Sequence, residues 1–157
     1  MSEKIEKVLG KLLKEKKLTI AAAESFTGGL FSKVITDVPG SSAYFLGSIV
    51  SYSNFAKEKL LKIPEDTIKT KGAVSRDTAY LMAKNITEIL GSDIGVSFTG
   101  VAGPTSEEGK PIGLAYIGMV FLKDTEVFEE HFYGSREEIR IKSVNFAIKE
   151  IIKRIGG

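Results

Sequence analysis

The chain has 157 residues, 43% of them hydrophobic and 27% charged, and a net charge of +2. That length predicts one domain with a buried core, and the charge is too mild to call for nucleic acid or an anionic membrane as a partner. Cysteine is absent and His131 is the one histidine, which excludes disulfides, thiolate chemistry and metal sites built on several imidazole or thiolate ligands.

The first 17 residues, "MSEKIEKVLGKLLKEKK", are too charged for the apolar centre of a signal peptide. No apolar run reaches the roughly 18 residues of a membrane span, so a cytoplasmic protein is expected. Ile5, Val8, Leu9, Leu12 and Leu13 recur at helical spacing and predict a helix over 3–16. "LTIAAAE" (18–24), short, apolar and followed by glycines, predicts a buried strand. "GGLFSKVITDV" predicts a helix stopped by "PGSS" at 39–42. "YFLGSIVSYS" (44–53) reads as a second strand, after which Asn54 is expected to cap "FAKEKLLK". "PEDTIKTK" predicts a short helix with Pro64 at its first position. "GAVS" leads into a long helix over 76–90. "SDIGVSFTG" (92–100) predicts a third strand, followed by the turn "VAGP" and the polar loop "TSEEGK". "PIGLAYIGMVFL" and "EVFEEHFYG" predict a hairpin turning at Lys123 and Asp124. "SREEIRIKSVNFAIKEIIKRI" closes the chain as a helix of about five turns, opened by a capping box from Ser135 to Glu138.

This order of elements predicts an α/β fold, a three-layer α/β/α sandwich with a mixed, mostly parallel sheet of about five strands. The first three strands are expected to be parallel because helices connect them. The residues after them then share one edge: Glu24 to Gly29, Tyr52 to Lys57, and Thr99 to Pro104. Open α/β sheets bind their ligands at such an edge.

Each polar residue there has a structural and a chemical reading. Ser25 is either a cap or turn residue or a hydroxyl held at a sharp turn, with Glu24, Thr27, Gly28 and Gly29 around it. Backbone N–H groups at a helix start suit a nucleophile or an anion. Lys57 is either a solvated lysine or, with Asn54 as cap, an amine near the positive end of a helix dipole. There its ammonium form is disfavoured and the neutral amine can act as a general base. The helix start, cover from Tyr52 and nearby arginines would lower its pKa, and Glu24 or Glu58 would oppose them. A Ser-Lys pair substitutes for Ser-His in known hydrolases. Tyr52 packs on its strand, stacks on a ring or passes a proton to Ser25. Thr99, Gly100 and Gly103 either make a turn or aim N–H groups at an oxyanion. Arg136 and Arg140, one helical turn apart, are surface ion pairs or a phosphate clamp. His131 sits on a strand face and is assigned no chemistry.

Taken together, "AESFTGG", "VITDVPGSSAYFLGSIVSYSNFAK", "GAVS", "FTGVAGP", "KPIGLAYI" and "GSREEIR" resemble the CinA C-terminal domain family, whose stand-alone members are nicotinamide-nucleotide amidohydrolases (NMN deamidase, PncC). The match runs in order from residue 22 to 140. The resemblance implies hydrolysis of the carboxamide of nicotinamide mononucleotide, a step of pyridine nucleotide salvage, without metal or cofactor. It implies Ser25 as nucleophile, Lys57 as base, and Tyr52 and Thr99 as further active-site groups. Arg140 with Arg136 nearby would face the phosphate, and Glu24, Thr27, Gly28, Gly29, Asn54, Gly100 and Gly103 would line the substrate site. The family pattern usually reads "ESCTGG"; here Phe26 replaces the cysteine while Ser25 is kept. Partners expected are the small-molecule substrate and a second copy of the chain, as a dimer. The competing reading is a catalytically weak phospholigand-binding or competence-associated module. Only the amidohydrolase needs Ser25 and Lys57 within hydrogen-bond reach.

Overall fold

The structure, a computed structural model, describes residues 3–156. Its layers follow from one strand, Ile20–Glu24 (β1), buried along its whole length. Ile20 and Ala22 belong to one hydrophobic cluster, Ala21 and Ala23 to the other, as the two-residue period of a strand requires. Helices Ile5–Lys16 (α1), Leu30–Thr36 (α2) and Arg136–Gly156 (α6) close the first cluster through Leu9, Leu13, Phe31, Ile35, Val144 and Ile148. Helices Asn54–Leu61 (α3), Glu65–Lys71 (α4) and Arg76–Leu90 (α5) close the second through Leu61, Ile68, Met82 and Ile86.

The sheet adds Phe45–Val50 (β2), Ile94–Gly100 (β3), Leu114–Phe121 (β4) and Asp124–His131 (β5), in the order β2-β1-β3-β4-β5. β1 is parallel to both β2 and β3, whereas β3–β4 and β4–β5 are antiparallel. Thus β1, β2, β3 and β5 share a direction and β4 alone runs against them. This is the three-layer α/β architecture the sequence predicts, with its five strands. Among the described residues no helix is long and apolar enough to cross a membrane.

Several boundaries differ from the sequence reading. β1 begins at Ile20, and β2 ends at Val50, which leaves Tyr52 in the turn beyond it. Ser53, not Asn54, caps α3: its backbone is extended and its side chain accepts the Ala56 N–H at 3.0 Å. Both residue types cap well, and the extended backbone leaving β2 reaches Ser53 first. Pro64 likewise stands just outside α4, with an extended ψ of 135°, as its cap. The hairpin turns one residue early, at Leu122 and Lys123, because Phe121 pairs directly with Asp124. The capping box at α6 is reciprocal: Glu138 N–H donates to Ser135 Oγ at 3.1 Å and Ser135 N–H to Glu138 Oε1 at 3.0 Å.

The turn from β1 into α2 is built on Glu24, which is fully buried. Its Oε1 accepts from the Thr27 hydroxyl (2.7 Å) and the N–H groups of Gly29 and Phe31 (both 3.1 Å). Its Oε2 accepts from the Ser32 N–H (3.0 Å) and hydroxyl (2.6 Å). The unpaired amides of a helix start are thereby matched with a negative charge inside the protein. Glu24→Ala would strand these donors, and we expect it to cost at least ~3 kcal/mol of unfolding free energy. Glu24→Gln, which keeps one carbonyl acceptor, should cost less. Urea denaturation followed by circular dichroism measures both, and a parental midpoint for the alanine variant contradicts this role.

Candidate active site

Ser25 follows β1 directly. Its N–H donates to the Phe98 carbonyl of β3 at 3.0 Å and its own carbonyl accepts the Gly28 N–H at 2.9 Å, so the residue is fixed at the sheet edge. Lys57 comes from the other layer, where its N–H closes the first turn of α3 on the Ser53 carbonyl at 3.1 Å. The side chain is 2% exposed. Its Nζ lies 2.9 Å from Ser25 Oγ and 2.9 Å from the Ser51 carbonyl oxygen.

These two contacts accommodate either protonation state of the amine. A carbonyl can only accept, so one N–H goes to Ser51. An ammonium then donates to Ser25, whereas a neutral amine turns its lone pair to the Ser25 proton. Burial holds the Lys57 pKa below its ordinary value, against the carboxylates of Glu108 and Glu107, which raise it. The sequence reading is corrected in its opposing charges, which are Glu108 and Glu107 rather than Glu24 or Glu58. Tyr52 is itself 60% exposed. Ser51 was also missed: it is buried and ties its own N–H to the Glu24 carbonyl at 2.7 Å. Two adjacent acids just beyond the third strand were the available signal for the loop residues.

The remaining site residues divide. Arg136 donates through Nη1 to the Gly103 carbonyl (2.6 Å) and through Nη2 to the Tyr52 hydroxyl (2.8 Å), joining α6 to two loops of the edge. Arg140 donates through Nη2 to the Thr27 carbonyl at 2.8 Å. Its Nε is buried and has no partner among the described residues. Gly28 has φ +58°, and a Cβ there would lie 3.1 Å from Arg140 Nη2, so glycine is needed for the arginine to rest on this turn.

The geometry gives other residues of the edge different partners. Glu24, Thr27 and Gly29 engage one another at the start of α2, so that helix end is already filled by the chain's own carboxylate. Thr99 is buried and donates its hydroxyl to the Ala73 carbonyl at 2.7 Å rather than to Ser25. Gly100 stays in the β3–β4 ladder opposite Ala115, packed on Phe26, which fills core space. Asn54 is exposed in the first turn of α3. Among the described residues no group of three or more His, Cys, Asp or Glu side chains could hold a metal ion.

The model of the CinA C-terminal domain family matches residues 2–155. A CinA-like protein of a Sulfurihydrogenibium species is 49% identical over 148 residues, 94% of this chain and 37% of that protein. The chain spans a little over a third of the length of the curated relatives it matches. The solved structure of competence damage-inducible protein A from Klebsiella pneumoniae superposes with a TM-score of 0.94 at 25% identity, covering 97% of this chain and 95% of that one. A competence/damage inducible protein from Agrobacterium tumefaciens superposes with a TM-score of 0.87 at 33% identity, with 98% of each chain covered.

The buried amine has a thermodynamic signature. Lys57 has a folded pKa below the ordinary 10.5. Between those two values the unfolded chain binds the extra proton, so stability rises with pH across that window. Relative to Lys57→Met, the parent should therefore gain stability as pH climbs towards 10.5, by at most about 1.4 kcal/mol per pH unit. Urea melts of both proteins at three alkaline pH values test this; a pH-independent difference between them rules out the depressed pKa.

Proposed function

Because the chain belongs to the CinA C-terminal domain family, we propose that it is a serine-type amidohydrolase that converts nicotinamide mononucleotide and water to nicotinate mononucleotide and ammonia. The observation that carries the reading is the buried 2.9 Å contact between Lys57 Nζ and Ser25 Oγ, which a module that only binds has no need of.

Neutral Lys57 keeps one N–H on the Ser51 carbonyl and takes the Ser25 proton on its lone pair. Ser25 Oγ attacks the carboxamide carbon, and the carbonyl π electrons move to oxygen. Collapse of the tetrahedral adduct breaks the C–N bond, and the Lys57 ammonium gives its proton to the departing amide nitrogen, which leaves as ammonia. A water then gives its proton to Lys57 and adds to the acyl carbon. Collapse of the second adduct breaks the bond to Oγ, which recovers its proton from Lys57. One amine thus serves as base and acid in each half-reaction.

Arg140 is the better phosphate ligand of the two arginines. Arg136 has both terminal nitrogens on protein oxygens, whereas Arg140 uses one on Thr27. In this reading Arg136 positions Tyr52 at the mouth and Arg140 meets the dianion.

Ser25→Ala and Lys57→Ala should each lower ammonia release from nicotinamide mononucleotide by at least ~10³-fold, and the double variant should be little worse, as for members of one catalytic unit. Near-parental release by Ser25→Ala removes the nucleophile. Arg140→Ala should weaken kcat/KM on the nucleotide by roughly 10- to 150-fold, the loss of one charge-assisted contact. On nicotinamide riboside, which lacks the phosphate, the loss should be much smaller. Equal losses on the two substrates would take Arg140 off the phosphate.

A further inference from the structure

A cleft opens at the amino end of β2, the opposite edge of the sheet from Ser25. It lies between the outer face of α1 and the turn from α2 to β2, and Gly10, Val38, Pro39 and Tyr44 line it. The backbone fixes Tyr44 there: its carbonyl accepts the Ile20 N–H at 2.8 Å and its N–H donates to the Ser41 carbonyl at 3.1 Å. The residue is 2% exposed and packs in the core. Its hydroxyl passes beneath α1 at Gly10, where a Cβ would stand 2.5 Å from it. Gly10 is buried inside the helix, a position where glycine costs stability relative to alanine. Here it leaves the room that the phenol occupies.

Among the described residues this hydroxyl has no hydrogen-bond partner, and burial raises its pKa above the ordinary phenol value. It is a neutral donor that calls for an acceptor. Three lysines of α1 line the same cleft, Lys7, Lys11 and Lys14, brought to one side of the helix by spacings of four and three residues. Glu3 pairs with Lys11 at 2.8 Å, which leaves Lys7 and Lys14 without a carboxylate among the described residues. Asp37, the acid beside Val38, is taken by Lys33 at 2.8 Å. Lys14 Nζ leans over the turn, 2.8 Å from where a Cβ on Gly40 would stand. A solvated helix face accounts for the lysines, but not for a buried phenol that opens among them at a glycine.

We propose that this cleft is a second ligand site, which holds a phosphate dianion, free or as the head of a small metabolite. Tyr44 Oη donates from the floor, and Lys7, Lys11 and Lys14 supply the charge. Converging donors of this kind suit a group with several acceptor oxygens and two negative charges. Val38 and Pro39 offer an apolar wall to the carbon part of an ester. The site is remote from Ser25 and stands whether or not the chain hydrolyses an amide.

The test is an NMR titration of the ¹⁵N-labelled protein with inorganic phosphate and, separately, with glycerol 3-phosphate, at constant ionic strength. The amides of Gly10, Gly40, Ser41 and Tyr44 should shift along one saturable curve. Binding at Arg140 is read apart from it, at Thr27 and Gly28. Tyr44→Phe, which keeps the ring, should weaken binding about 10-fold or more, the loss of one hydrogen bond to a charged group. Lys14→Gln should do the same. Shifts that never saturate, or equal affinity in the parent and Tyr44→Phe, overturn the proposal. Should Tyr44→Phe not fold, Lys14→Gln decides alone: weaker binding supports the site and unchanged binding overturns it. Tighter binding of the ester supports a phosphorylated metabolite as the ligand, and equal affinity for the two probes supports free phosphate.

Discussion

A carboxylate sealed from water organises the carboxyl edge of this sheet. The side chain of Glu24 gathers five donors from the start of α2, and its backbone carbonyl holds the N–H and hydroxyl of Ser51. Ser51 in turn receives Lys57, and Lys57 meets Ser25, the neighbour of Glu24 in the chain. The circuit closes on itself within a few residues. Such a group is stable inside only while its donors are present, so the start of α2, the end of β2 and the Ser25–Lys57 contact are fixed as one unit. Thr27 belongs to the same unit, and through its carbonyl so does Arg140.

Against that order stands the burial of an amine. Lys57 is withdrawn from water with no carboxylate touching it, which works against the folded state whenever it is protonated. Strain of this kind, concentrated at a single residue beside a hydroxyl, is what a site for proton transfer needs and a core does not.

Much of this was legible in the sequence because it is local. The short apolar run "LTIAAAE", the helix signals around it and the box "SREE" depend on residues within a turn or two of each other. The convergence of Ser25, Tyr52 and Lys57 on one edge followed from parallel strands. What was not legible depends on groups far apart. Glu24, at a strand end beside two glycines, reads as a ligand contact until the helix amides are seen to fold back on it. Thr99 reads as a free hydroxyl until Ala73 arrives from the segment before α5. The two arginines are equivalent by spacing, and only their partners separate them. Glu108 reads as a free loop acid until the amides of Ala73 and Val74 meet it. At Ser53 and Asn54 two good caps stand side by side, and the path of the backbone chooses between them.

The alanine run of β1 acts as a gauge block. Ala21, Ala22 and Ala23 carry the smallest side chains that still cover a sheet, and they are wholly buried on both faces. The helical layers therefore stand as near to this strand as methyl groups permit. Ser25 leads from its end towards one layer, while Lys57 belongs to the other, so the thickness of the strand between the layers sets how closely Ser25 and Lys57 approach. An added methyl there would be registered first in alignment rather than in stability, where displacements of about 1 Å already matter to rate. The most featureless stretch of the sequence thus sets a spacing on which the site depends.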